Sequence, residues 1–80
     1  SKTDRYNEYI MTGLRTMWGV SLERIEKEFG KTYLDYLNKH AARYIEDHLL
    51  FIDDDILRTT QKGKFLSDGI ASDLFLLNLE

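Results

Sequence analysis

The chain has 80 residues, 42% hydrophobic and 31% charged, which suits one small folded domain and excludes a disordered polypeptide. Its net charge of −3 repels nucleic-acid phosphates and anionic membranes, and no apolar run approaches the roughly 20 residues of a membrane span. Cysteine is absent, which removes disulfides, thiol nucleophiles and any iron–sulfur cluster ligated by Cys within the chain.

The pattern reads as a single domain over 1–80, folded from about Arg5 to about Phe75. Because Ser1 stands where an initiator Met would, the chain is expected to be a piece of a longer protein. Tyr6, Tyr9, Ile10, Gly13, Leu14 and Met17 follow helical spacing, so a first helix is expected, capped by Thr3 or Asp4 and ended at Trp18-Gly19. Ser21 is the N-cap of a second helix, Val20 and Ile25 form a hydrophobic staple, and Gly30 stops it. A third helical segment runs from about Thr32 to Asp47 with Leu34, Leu37, Ala41, Tyr44 and Ile45 on one face and a kink or break expected at Asn38. Leu49–Ile52 and Ile56–Thr59 read as short strands joined by an Asp53-Asp54-Asp55 turn. Thr60 caps a last helix in which Leu66, Ile70, Leu74 and Leu77 stack. The predicted fold is therefore mainly α with a short β-hairpin, a winged-helix-like small domain whose second and third helices form a helix-turn-helix.

Catalytic groupings are missing from this pattern. His40 and His48 are eight residues apart, about 12 Å along a helix, too far for a shared metal. Consecutive Asp53, Asp54 and Asp55 lack the alternating ligands of a calcium loop. Ser21, Thr60, Ser67 and Ser72 have no base at a useful spacing, and the glycines make no phosphate-binding fingerprint. As a DNA reader, the third helix would offer Lys31, Lys39, His40 and Arg43, but an acidic wing would face phosphate. Aromatics make up 12% of the chain; most belong on helical core spacing, while Tyr9, Tyr33 or Trp18 are candidates to cover a docking face. Gly13 in mid-helix, which costs about 0.5–1 kcal/mol relative to Ala, signals a close approach there. Beside it, Arg15 has two readings: a structural bond to a nearby helix end or carboxylate, or a guanidinium fork aimed at a carboxylate ligand.

Five segments carry a family resemblance. Glu8-Tyr9-Ile10-Met11-Thr12-Gly13-Leu14-Arg15 resembles an E-x-x-M-x-G-L-R signature. Gly19-Val20 with Leu22, and Phe29-Gly30, resemble the G-[VI]-x-L and FG that follow it. Tyr44 to Leu50 resembles a helix end followed by G-L-L, and Leu57 to Asp68 resembles L-x-L-T-x-x-G-x-x-x-S-D. In this order and spacing they resemble the C-terminal domain of oxygen-independent coproporphyrinogen III oxidase-like radical S-adenosylmethionine (SAM) proteins, the haem-chaperone branch more than the oxidase branch. His48 departs from the family's Gly, Thr59 from an apolar strand residue, and Gln61 from a Pro at the first position of the last helix.

The resemblance implies a cytoplasmic parent protein with an N-terminal radical SAM core. That core would hold a [4Fe-4S] cluster on a CxxxCxxC motif and bind SAM, and would either decarboxylate coproporphyrinogen III or carry haem. For this chain it implies no catalytic residue, no metal and no cofactor of its own, only a role in covering one side of the cleft. Its expected partners are that core and a tetrapyrrole, with no nucleic acid and no membrane span. Under that resemblance Arg15 is the candidate to pair with a carboxylate of the tetrapyrrole or of the core. Glu8 would partner a cation within one helix turn or across domains, Tyr9 would pack at the domain interface, and Gly13 would mark the close approach. A DNA-binding winged helix and a protein-interaction module are the alternatives.

Overall fold

The structure, a computed structural model, describes residues 1–75. Helix α1 spans Lys2–Arg15. Its cap is Ser1, not Thr3 or Asp4: the Ser1 hydroxyl accepts from the Asp4 backbone N–H while the Asp4 carboxylate reaches back to the Ser1 nitrogen, a capping box. Thr3 instead lies inside the helix, buried, with its hydroxyl 2.9 Å from the Tyr33 hydroxyl. The helix ends earlier than its apolar spacing suggests, so Met17 falls beyond it and is 70% exposed rather than in the core.

Gly19, at φ 72°, turns the chain into a two-residue strand β1, Val20–Ser21, and Ser21 then caps α2, Leu22–Phe29, by accepting from the Arg24 N–H. Val20 and Ile25 are both fully buried, as a staple requires. Gly30, at φ 102°, ends α2 and begins α3, Lys31–Glu46. α3 runs unbroken through Asn38, which faces solvent and so has no reason to disturb the backbone. Tyr33, Leu37 and Ala41 are its buried face, with Leu34, Tyr44 and Ile45 half-buried beside it.

A Schellman motif closes α3. The Leu49 N–H donates to the Tyr44 carbonyl at 2.8 Å and the His48 N–H to the Ile45 carbonyl at 3.1 Å, with His48 at φ 61°. A β-carbon is strained in that left-handed conformation. His48→Gly is therefore expected to stabilise the domain by about 1 kcal/mol. Urea unfolding would show it as a higher midpoint at unchanged slope; a lower midpoint would mean that the imidazole makes a contribution larger than the strain.

Strands β2, Leu50–Asp53, and β3, Ile56–Thr59, pair in antiparallel register, Asp53 with Ile56. The turn is thus the two residues Asp54 and Asp55, both at positive φ as a type I′ turn requires. β1 adds to β3, Val20 opposite Leu57, so the predicted hairpin is part of a three-stranded sheet of order β1-β3-β2. The predicted last helix is also two pieces. Thr60 caps the short α4, Gln61–Lys64; the chain turns at Phe65-Leu66 and continues as α5, Ser67–Leu74. Leu66 is half-exposed at that corner instead of stacking with Ile70 and Leu74, and Leu77 lies outside the described residues. The two pieces are tied to different elements, α4 to the start of the hairpin and α5 to α1, which explains why one straight helix does not form.

The core joins all four longer helices and the sheet. At its centre Tyr6 of α1 meets Phe29 of α2 edge-on at 5.7 Å and Tyr33 of α3 at 5.2 Å. The architecture is mainly helical with a small three-stranded antiparallel sheet. Among the described residues no helix is long and apolar enough to cross a membrane.

Candidate functional site

Gly13 and Arg15 sit near the C-terminal end of α1, and the structure supplies a partner for each. A β-carbon on Gly13 would lie 2.6 Å from Val20 Cγ2 and 2.7 Å from the Gly19 carbonyl oxygen, so the close approach is that of the chain's own turn into β1. Arg15 reaches across to the first turn of α5: its Nε donates to Asp68 Oδ1 at 2.9 Å and its Nη2 to Asp68 Oδ2 at 3.2 Å. This is the parallel fork of a bidentate Arg–carboxylate pair. It joins the arginine of the first signature segment to the aspartate of the last, 53 positions away in sequence.

Hydrogen bonding from Arg15 holds the Asp68 carboxyl below the usual carboxylate value of 3.8, and the same bond raises the guanidinium. A depressed folded-state value means that the pair's contribution is present above the ordinary carboxylate range and is lost as pH falls through the lowered folded value. In a carboxyl-detected NMR titration, Asp68 is therefore expected to titrate below 3.8, with the Arg15 Nε–H signal collapsing in step. An Asp68 midpoint at or above the ordinary value would show that the fork is open in solution. Both groups are more than half exposed, so the effect on global stability is small.

Glu8 and Tyr9 lie elsewhere on α1, in a groove of about 370 Å³ against α2 that Arg5, Arg24 and Glu28 also line. The Tyr9 hydroxyl accepts from the Ser21 N–H at 2.9 Å, and the Arg24 guanidinium lies 4.5 Å from the Tyr9 ring centre while pairing with Glu28. Arg5 stands over the Phe29 ring at 5.7 Å. Glu8 points to solvent and forms no ion pair among the described residues. The four candidates therefore do not converge: Glu8 and Tyr9 share the α1–α2 groove, while Gly13 and Arg15 face the turn into β1 and α5.

A polar junction emerges where the sequence suggested only a helix cap. The Thr60 hydroxyl donates to the His48 carbonyl at 2.7 Å and accepts from the Gly63 N–H at 3.0 Å, while the Thr60 N–H donates to the Leu49 carbonyl at 3.0 Å. The T-x-x-G spacing thus ties the end of α3 to the start of α4. His40 packs on Tyr36 with ring centres 4.1 Å apart, and His48 occupies the exposed helix-ending turn. Among the described residues no three His, Asp or Glu side chains are placed to hold a metal ion. With no cysteine either, the residues present do not fit an iron–sulfur cluster.

Of the three aromatics that were candidates for a docking face, Trp18 is exposed, Tyr9 half-buried and Tyr33 in the core, and the exposed feature around Trp18 is apolar. Trp18 is 76% and Phe65 88% exposed, with Met17 and Leu66 beside them in sequence also exposed. Phe65 and Leu66 form one wall of a groove of about 610 Å³ whose other apolar residues are Leu49 and Ile70. The exposure of Met17, Phe65 and Leu66 follows from the early end of α1 and the break between α4 and α5, and periodicity registers neither.

Residues 1–66 match the family described as the HemN C-terminal domain. No curated protein and no solved structure matches the chain.

Proposed function

Because the chain belongs to the HemN C-terminal domain family, we propose that it is the non-catalytic accessory domain of an oxygen-independent coproporphyrinogen III oxidase-like radical SAM protein. In this reading it packs on its own N-terminal core in the cytoplasm and closes one side of the tetrapyrrole cleft. The observation that carries the reading is the family match over residues 1–66, which spans four of the five signature segments and most of the fifth. The [4Fe-4S] cluster and SAM belong to the core, where they would supply the radical chemistry. This domain's own residues supply shape and contacts. The G-L-R form of the first segment favours the haem-chaperone branch over the oxidase branch.

Arg15 is the residue proposed to meet a tetrapyrrole or core carboxylate, with Glu8, Tyr9 and Gly13 as further contacts. Its fork already holds Asp68, so such a contact must either share the guanidinium or displace Asp68. The test compares two variants of the intact parent protein by haemin and coproporphyrin binding. Arg15→Ala is expected to weaken binding, and Asp68→Asn, which frees the guanidinium but keeps it, is expected not to. Equal losses would mean that only the α1–α5 tie matters. No loss in either would remove Arg15 from the tetrapyrrole site.

Nucleic-acid binding is disfavoured on this surface. Arg43 of α3 is engaged by Asp73, and the hairpin tip carries three carboxylates.

A further inference from the structure

We infer that the end of the domain formed by Met17, Trp18, Phe65 and Leu66 is the surface that docks on the parent's N-terminal core, against an apolar face rimmed by carboxylates. This deepens the reading above and rests on it: a C-terminal domain tethered to a core meets that core at high effective concentration.

Three observations select this end. The first is exposure. A tryptophan or phenylalanine side chain buries 150–250 Å² when covered, so these two rings, mostly exposed, present roughly 300 Å² of apolar surface. The largest apolar patch on a typical monomer is of this order and is often functional, and aromatic anchors dominate interface energetics. Adjoining it, the groove of Leu49, Leu66 and Ile70 is open to receive a side chain from the partner.

The second is rigidity. Met17 and Trp18 lie two and three positions beyond Arg15, and Leu66 and Phe65 two and three positions before Asp68. The Arg15–Asp68 fork therefore ties the two pairs to one junction, each within about 11 Å of its own anchor residue at 3.6 Å per residue. Arg58 further pins the loop by donating to the Met17 carbonyl. A face held in place before binding loses little entropy on docking.

The third is charge. The chain as a whole is acidic, yet α4, which leads directly into Phe65, carries Lys62 and Lys64, and neither forms an ion pair among the described residues. Arg58 adds a third cation, and the two carboxylates that line the groove, Asp68 and Asp73, are paired with Arg15 and Arg43. Carboxylates gather elsewhere, at Asp53, Asp54 and Asp55 on the hairpin tip and on the exposed side of α2. The complementary face is therefore apolar with an acidic rim. The smaller apolar patch of Phe51 and Ile52 sits beside that acidic tip, and Phe51 faces Arg58 across the strands, so it lies at the margin of this face; Tyr36 of α3, bonded to Phe75 at the far end of α5, serves as the internal control.

Hydroxyl-radical footprinting of this chain alone and of the intact parent protein tests the assignment. Oxidation of Trp18, Met17 and Phe65 is expected to fall at least about threefold in the intact protein, with Tyr36 unchanged. The double variant Lys62→Glu/Lys64→Glu in the intact protein is expected to restore much of the oxidation. Protection at Phe51 or Tyr9 without protection at Trp18 and Phe65 would overturn this assignment and leave the docking reading standing. No protection anywhere on the domain would overturn the docking reading itself. Protection of Trp18 in the chain alone on adding haemin would reassign the face to the tetrapyrrole, and an unaltered footprint in the lysine variant would remove the acidic rim.

Discussion

Gly63→Ala is expected to unfold the domain or to destabilise it by roughly 3 kcal/mol or more, since overpacking a well-filled site costs about 1–3 kcal/mol and a backbone obstacle leaves little room to relax. A β-carbon at this position would stand 1.9 Å from the Leu49 carbonyl oxygen and 2.8 Å from its carbonyl carbon. That carbonyl cannot step aside, because it accepts the Thr60 N–H and belongs to the residue that closes the Schellman turn after α3. Gly69→Ala is the matched control. Gly69 lies within α5 with nothing within 4 Å of its would-be β-carbon, so the same substitution should stabilise by about 0.5–1 kcal/mol. Thermal unfolding followed by circular dichroism reads both. In a domain of this size 1 kcal/mol moves the midpoint by about 4–8 °C, so the two alanines should depart in opposite directions. A folded Gly63→Ala domain with an unchanged midpoint would mean that α4 does not pack against Leu49.

Tyr6→Ala is expected to cost about 3–5 kcal/mol, a large share of the stability of so small a domain. Tyr6 is fully buried and touches three helices besides its own: Phe29 on α2, Tyr33 on α3, and the Leu74 carbonyl on α5, to which its hydroxyl donates at 3.1 Å. That carbonyl is one of the acceptors a helix C-terminus leaves unpaired. The Tyr36 hydroxyl serves the next one, on Phe75, so two tyrosines from different helices finish α5. Burial above all, then the neighbouring Tyr36 and Tyr33, raises the Tyr6 hydroxyl well above its ordinary value of 10.0.

The raised value has a defined sign. The unfolded chain ionises this phenol near its ordinary value while the folded one keeps it neutral, so its contribution is complete below pH 10 and lost above it, at about 1.4 kcal/mol per pH unit. Tyr6→Phe keeps the ring and removes the proton. It should cost only about 1 kcal/mol near neutrality and should flatten the alkaline fall in stability. Denaturant melts between neutrality and pH 11 separate the cases: an equally steep fall in the Phe variant would assign the alkaline loss to other groups.

Much of this domain is written in local sequence. Ser21 and Thr60 are N-caps because each offers an oxygen to an N–H three residues on, and Gly30 ends α2 because it alone there adopts φ 102° without strain. The Val20–Ile25 staple and the two-strand hairpin are likewise decided within a few residues. His48 was legible through the resemblance, which puts a glycine at that position, and a histidine accepts the left-handed turn with strain.

Contacts between distant segments decided the rest. Two residues, Val20 and Ser21, have no alternation to read and become a strand only because β3 lies beside them. Arg15 had two readings in sequence, and Asp68, 53 positions away, supplies the structural one. Met17 and Leu66 keep helical spacing with core residues, yet their helices stop or bend first, and both side chains face solvent. Apolar periodicity records which face a residue would occupy if the helix continued. Whether it continues depends on what each end must reach, and here α4 is drawn to Leu49 while α5 is drawn to α1.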